Sequence, residues 1–194
     1  MGFSKSIADP CLYTKGSGKD YKALILFVDD ILISCYSDAE VQKVAQQLAS
    51  KYNLKSLGPV KNYLRVEVKQ TEDRSFLLSQ KQKIEMLLEQ CEMQDCKPVK
   101  SPIELNIQST LQSECFSNPD LYRSVVRMLL YLVNWSRPDL SASVAILSKF
   151  VAKPTIPAWN ALKRVLRYLK GTLEHGLSLS AEPDEDLLCY VDSD

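Results

Sequence analysis

The hydrophobic positions of this chain change their spacing along its length. Near the start they fall in short unbroken runs, Ala23 to Val28 and Ile31 to Cys35, too brief for helices and rich in β-branched and aromatic side chains. Neither run alternates, which predicts two strands buried on both faces. Asp29 and Asp30 lie between them and are expected to form the connection of a tight hairpin. No Asn-Gly or Gly-Gly is present there, but Asp tolerates turn geometry. The preceding residues 1–20, with Pro10 and the Gly16-Ser17-Gly18 cluster, read as irregular.

Helical spacing starts after this hairpin. Ser37-Asp38-Ala39-Glu40 has the capping-box pattern and opens a helix with Val41, Val44, Ala45, Leu48 and Tyr52 on its apolar side. Leu57-Gly58-Pro59 closes that unit. Tyr63 to Val68 alternates and predicts a strand, with Phe76 to Leu78 as its partner. Ser79 and Gln82 make a second capping box ahead of the stripe Ile84, Leu87, Leu88 and Cys91.

Cys96 to Cys115 is a polar, proline-bearing connection, and the rest is mostly helical. Asn118-Pro119 predicts a capped start for a helix carrying Leu121, Tyr122, Val125, Val126, Leu129, Leu130 and Val133. A second helix follows Arg137-Pro138 with Leu140, Val144 and Leu147. A third runs from Pro157 to Lys170 and stops at Gly171. Leu187 to Val191 reads as a last strand. The fold class is α+β: two antiparallel hairpins followed by a helical region.

Composition narrows the function classes only a little. The 194 residues are 45% hydrophobic and 25% charged, which fits a folded domain and argues against disorder. The formal net charge is zero, so a nucleic-acid contact has to come from a local basic face. The six cysteines and the single histidine, His175, show no tetrahedral zinc spacing. They read as reduced thiols that pack as small apolar groups, and His175 as a surface or loop residue. No signal-peptide pattern opens the chain, and its longest apolar run is too short to cross a bilayer. A soluble protein of the cytoplasm or nucleus, with no membrane partner, is expected.

The adjacent carboxylates of Asp29 and Asp30 are the main chemical feature. On one reading they are turn residues facing water. On the other, two strands hold them rigidly and a divalent cation offsets their repulsion. Oxygen-only donors of this kind suit Mg²⁺, which binds through one or two carboxylates plus substrate phosphates.

Phe27-Val28-Asp29-Asp30 resembles the Tyr-x-Asp-Asp box of reverse transcriptases, and its setting resembles copia-type retrotransposon Pol polyproteins. The supporting stretches run in order: "ADPCLY" at 8–13, "FVDDILI" at 27–33, "LGPVKNYLRVEV" at 57–68 and "LSQKQKIEMLLEQ" at 78–90. They continue with "YRSVVRMLLYL" at 122–132, "SRPDLSASVAILSKFV" at 136–151, "WNALKRVLRYLKGTLEHGL" at 159–177 and "YVDSD" at 190–194.

The resemblance implies residues 1–78 as part of a polymerase palm, with the catalytic hairpin and a primer-positioning hairpin. It implies 79–180 as helical thumb and connection, and 187–194 as the first strand of a ribonuclease H domain. Asp29 and Asp30 are then catalytic, metal-binding residues, and Asp192 is the first metal ligand of the ribonuclease H. The implied cofactor is Mg²⁺ or Mn²⁺, bound only together with a third aspartate that the family carries on a strand upstream of Met1. The implied partners are an RNA template, a DNA primer and the rest of the Pol polyprotein. Phe27 is by the resemblance a nucleic-acid-binding residue, but it stands where the family usually has tyrosine and lacks the hydroxyl that could touch the primer backbone. Arg65 and Arg127 stand where the family usually has glycine.

On the third helix of the helical region, Trp159, Leu162, Val165, Leu166 and Leu169 share one face and leave Lys163, Arg164, Arg167 and Lys170 on another. These four cations, with Lys81 and Lys83, are either a solvated surface or contacts to the phosphates of a template–primer duplex. The expected function is a fragment of an RNA-directed DNA polymerase, inactive alone. The alternatives are a non-catalytic nucleic-acid-binding or partner-binding remnant of the same scaffold, and an incomplete frame of a longer Pol.

Overall fold

A computed structural model describes residues 1–104 and 114–181 of the chain. It contains two antiparallel sheets and five α-helices among those residues, split between two units, Met1–Val60 and Lys61–Asp194. No helix among the described residues is long and apolar enough to cross a membrane.

The first unit is a meander of Ser4–Lys5 (β1), Leu12–Lys15 (β2), Lys22–Phe27 (β3) and Asp30–Cys35 (β4), paired in that order. β1 and β2 fall in the stretch expected to be irregular. Their short, Lys-, Ser- and Thr-bearing segments give no apolar run to read. Helix α1, Asp38–Ala49, follows with Ser37 as its cap, the hydroxyl accepting from the Glu40 amide at 3.4 Å. Tyr52 lies beyond its end and is exposed.

Helix α1 packs Val44 and Leu48 onto Leu24, with Tyr13, Ile31, Ile33 and Cys35 around them. The register Leu24↔Ile33 and Leu26↔Ile31 puts these residues on one face of the sheet. Ile25, Phe27, Leu32 and Asp30 alternate to the other face. β3 and β4 are therefore buried on one face and not on both: Phe27 is 47% exposed and no residue of β4 is fully buried. Glu40 accepts from Lys22 of β3 and from Lys43, and the Lys22 bond, with that of Lys43, pulls its carboxyl down to about 2.

The second unit begins with Asn62–Tyr63 (β5), Val66–Gln70 (β6) and Phe76–Ser79 (β7). Leu177–Leu179 (β8), which periodicity did not reveal, adds to β7 from the far end of the chain. The expected single strand Tyr63 to Val68 is broken. Tyr63 pairs with Val66 across a two-residue turn, Leu64-Arg65, with φ +50° and +62°. Both central residues are in the left-handed region, the pattern of a type I′ hairpin turn. Glycine takes that conformation freely and arginine does not. Arg65→Gly is therefore expected to stabilise the chain by about 0.5–1 kcal/mol. The check is a higher urea midpoint with an unchanged denaturant slope; an unchanged or lower midpoint counts against it.

Helix α2, Lys81–Gln90, has no side-chain cap: Ser79 ends β7 instead of opening the helix, so the second capping box does not form. It is joined by α3 (Pro119–Trp135), α4 (Ser141–Ser148) and α5 (Ile156–Gly171). Asn118 caps α3 as expected, accepting from the Leu121 amide at 3.0 Å, and Thr155 caps α5 in the same way. Ile84, Leu87, Leu88, Tyr122, Val125, Leu129, Leu132, Leu140, Val144, Leu147, Leu162 and Leu166 form one continuous core among these helices. Leu130, placed on the apolar side of α3 by its spacing, is 40% exposed. Tyr122 is buried within the core and donates to the Leu147 carbonyl at 2.9 Å, which satisfies its hydroxyl.

Candidate functional site

The turn between β3 and β4 is as tight as a hairpin allows. Phe27 pairs with Asp30, so the two-residue connection is Val28-Asp29 and Asp30 is already the first residue of β4. Val28 has φ +51° while Asp29 keeps a negative φ, the pattern of a type II′ turn. A β-branched side chain there is a genuine conformational outlier, and Val28 is also 90% exposed. The chain holds an unfavourable backbone conformation at the point where its two aspartates meet.

Asp29 and Asp30 are both exposed, and among the described residues neither side chain makes a hydrogen bond or ion pair. The buried, low-dielectric setting expected from the flanking runs is not what surrounds them. Water offsets their repulsion, because α1 covers only the opposite face of the sheet. Among the described residues no group of three acidic, histidine or cysteine side chains is positioned to hold a metal. The available donors are two hard carboxylate oxygen donors with open space around them. That set fits a divalent cation bound through one or two carboxylates, with water or phosphate filling the remaining positions.

Asp192 and the strand Leu187 to Val191 lie outside the described residues. Phe27, the one remaining candidate of the first unit, is exposed beside the turn; the six cationic candidates belong to the second unit, and their surroundings differ. On α5, Arg164 pairs with Glu104 at 2.5 Å and Arg167 donates to the Lys97 carbonyl at 2.7 Å. Both are partly buried and bonded within the unit, whereas Lys163 and Lys170 are partly buried and make no ion pair among the described residues. Lys163, Arg164, Arg167 and Glu104 line a cavity of about 510 Å³ with Met93, Pro157 and Asn160. Trp159 stacks on Phe116 with ring centroids 4.5 Å apart. On α2, Lys81 pairs with Glu174, while the Lys83 ammonium sits 5.1 Å from the centre of the Tyr131 ring.

His175 is exposed, in keeping with its expected loop position. Among the described cysteines none is fully buried: Cys11 and Cys115 are exposed, and Cys35, Cys91 and Cys96 are partly buried against the cores, while Cys189 lies outside the described residues. Sequence spacing did not reveal the network around Arg137. This guanidinium is 1% exposed; it donates to Asp139 at 3.0 and 2.8 Å, and to the carbonyl and hydroxyl of Thr172 at 3.1 and 2.8 Å. Tyr168 donates to the same Asp139 carboxylate at 2.9 Å. The only hint in the sequence was a charged Arg-x-Asp triplet between two apolar helices.

Comparison with known proteins decides what the hairpin belongs to. Residues 1–105 match the family model described as reverse transcriptase (RNA-dependent DNA polymerase). The chain belongs to the reverse transcriptase family. It is similar to a mitochondrial protein of Arabidopsis thaliana, 37% identical across 88% of this chain and 70% of the relative. It is also similar to the retrovirus-related Pol polyprotein from transposon RE2 of Arabidopsis thaliana, 35% identical over the whole chain but only 13% of that protein. A third relative is the Pol polyprotein from transposon TNT 1-94 of Nicotiana tabacum, 31% identical over 99% of this chain and 15% of its own length. The chain thus spans a small part of the Pol polyproteins it matches, in agreement with the resemblance drawn from its motifs. No solved structure matches it. Reverse transcriptases are generally metal-dependent, which is consistent with the chemistry of the Asp29-Asp30 donors.

Proposed function

We propose that this chain is a segment of the RNA-directed DNA polymerase of a copia-type retrotransposon. In the complete protein that enzyme adds a deoxynucleotide to the 3′-hydroxyl of a DNA primer on an RNA template. The observation that carries the reading is the exposed Asp29-Asp30 pair at a two-residue turn, inside the residues matched to the reverse transcriptase family. On this reading residues 1–78 are part of the palm, 79–180 the thumb and connection, and Asp192 a ribonuclease H metal ligand. The rest of the Pol polyprotein is the partner, in the cytoplasm or nucleus.

Asp29 and Asp30 would hold Mg²⁺ or Mn²⁺, which when bound supplies a positive centre against the reacting phosphate. Asp30 lies on the open face of the sheet with Phe27, and the hairpin presents both carboxylates without a competing internal partner. Two carboxylates leave most of a metal's positions to water, so the chain by itself is proposed to lack measurable polymerase activity.

Grafting tests this reading. Phe27 to Asp30 replaces the matching turn of a complete copia-type polymerase, and extension of an oligo(dT) primer on poly(rA) is measured with Mg²⁺. A graft that extends the primer at a rate near the parent's supports the assignment. A folded but inactive graft removes it.

A further inference from the structure

Two cations from separate elements of the second unit lie near one side chain, Tyr131, and a third stands one helical turn from it. Its hydroxyl donates to the carbonyl of Leu64, which ties α3 to the turn that carries Arg65. Its ring receives the Lys83 ammonium of α2 at 5.1 Å from the centroid. Arg127 lies one helical turn earlier on α3, at the i,i+4 spacing that puts it on the same face as Tyr131. Gln90 bonds Ser124 at 3.4 Å, so α2 and α3 run side by side along this face. Arg65 and Arg127 are exposed, Lys83 is partly so, and none of the three makes an ion pair among the described residues.

We infer that Arg65, Lys83 and Arg127, set around Tyr131, form a phosphate-binding face for a nucleic-acid backbone. This rests on the polymerase reading and names the surface of the second unit that would take its duplex. The argument is charge complementarity combined with arrangement. Unpaired guanidinium groups are suited to bidentate phosphate contact, and each one engaged releases counterions from the nucleic acid. Tyr131 is a positioning residue: cation–π attraction fixes the lysine head and its hydroxyl fixes the turn.

Arg65 adds an independent observation. It occupies a left-handed position (φ +62°) better suited to glycine, at the tip of a hairpin, with its side chain exposed. Conformational strain at an exposed cation is a reason to look for function there. The α5 cations make a weaker candidate for the same role, since Arg164 and Arg167 already have internal partners.

The test is fluorescence anisotropy of a labelled RNA–DNA duplex with the full chain over a range of salt. The logarithm of the affinity is expected to fall with the logarithm of salt concentration, with a slope of about −2 to −3 for three phosphate contacts. The double substitution Arg65→Gly/Arg127→Ala is expected to flatten that slope by about 1.8. The same loss of charge at Lys51→Ala/Lys55→Ala, in the other unit, is expected to leave it unchanged. Because Arg65→Gly relieves the turn, weaker binding by that variant alone, with an unchanged circular dichroism spectrum, cannot come from unfolding. A slope unaltered in the arginine double variant overturns the inference, as does polyglutamate competing as well as the duplex. An active graft with an unaltered slope sinks this inference alone. An inactive graft with the slope flattened as expected sinks the polymerase assignment and supports the phosphate-binding face.

Discussion

Asp29→Asn or Asp30→Asn, introduced into the grafted polymerase, is expected to cut primer extension by about 10³-fold or more, several kcal/mol of transition-state stabilisation. Asparagine keeps the size of the side chain and one oxygen but removes the charge that would hold a cation. Both aspartates are exposed and neither side chain bonds another described residue, so neither change disturbs packing. The stability of the fold should move by less than about 0.5 kcal/mol. Relief of the repulsion between the two carboxylates would, if anything, favour folding. The loss should therefore appear in kcat, with the midpoint of denaturation unmoved. A variant that extends primers at the unsubstituted rate would reduce the pair to solvated turn residues, the other reading open from the sequence.

That the carboxylates sit at a hairpin tip was legible because two apolar runs flank them and nothing else in the segment can turn. Their exposure was not legible. An unbroken run such as Ala-Leu-Ile-Leu-Phe says that both faces of a strand tolerate burial, but periodicity carries no information about what covers each face. Here α1 covers the face bearing Leu24, and Ile25, Phe27 and Leu32 are left on the other. Alternation failed at Leu64-Arg65 for a different reason. A turn that needs two left-handed residues is normally announced by Asn or Gly, and leucine and arginine announce nothing. The long helices were legible from their caps, Ser37 and Asn118, because cap and apolar stripe agreed. β1, β2 and β8 are too short to produce a pattern at all.

Legibility of the candidate sites follows the same division. The Asp-Asp pair is contiguous, so a local pattern contains it. The four cations of α5 are also local, yet spacing alone could not reveal that Arg164 and Arg167 are tied to Glu104 and Lys97. The cluster around Tyr131 draws on a turn and two helices, and only the tertiary fold brings these together. Arg65 and Arg127 looked unrelated in the sequence; in the structure the turn carrying Arg65 is tied to Tyr131, one helical turn from Arg127.

Asp139→Ala is expected to destabilise the helical unit by about 3 kcal/mol. It leaves the Arg137 guanidinium, 1% exposed, without the carboxylate that accepts two of its bonds. The figure is set at the low end for a broken buried pair because Asp139 itself is 38% exposed and partly screened by water. Removing both charges should cost less than removing one. Arg137→Met/Asp139→Ala is therefore expected to be more stable than Asp139→Ala alone, since an apolar side chain in that space leaves no uncompensated charge. Acidity should show the same dependence. Burial opposes ionisation of Asp139, but the Arg137 bonds outweigh it and hold the carboxyl below its ordinary value of 3.8. A depressed carboxyl contributes stability above that value and loses it as pH falls through the folded one. The stability gap between the unsubstituted chain and Asp139→Ala should therefore be full near neutrality and narrow as pH drops below 3.8. Urea titrations of the three proteins across that range measure it directly. A gap that stayed constant into acid would mean that Asp139 acts through packing and not through its charge on Arg137.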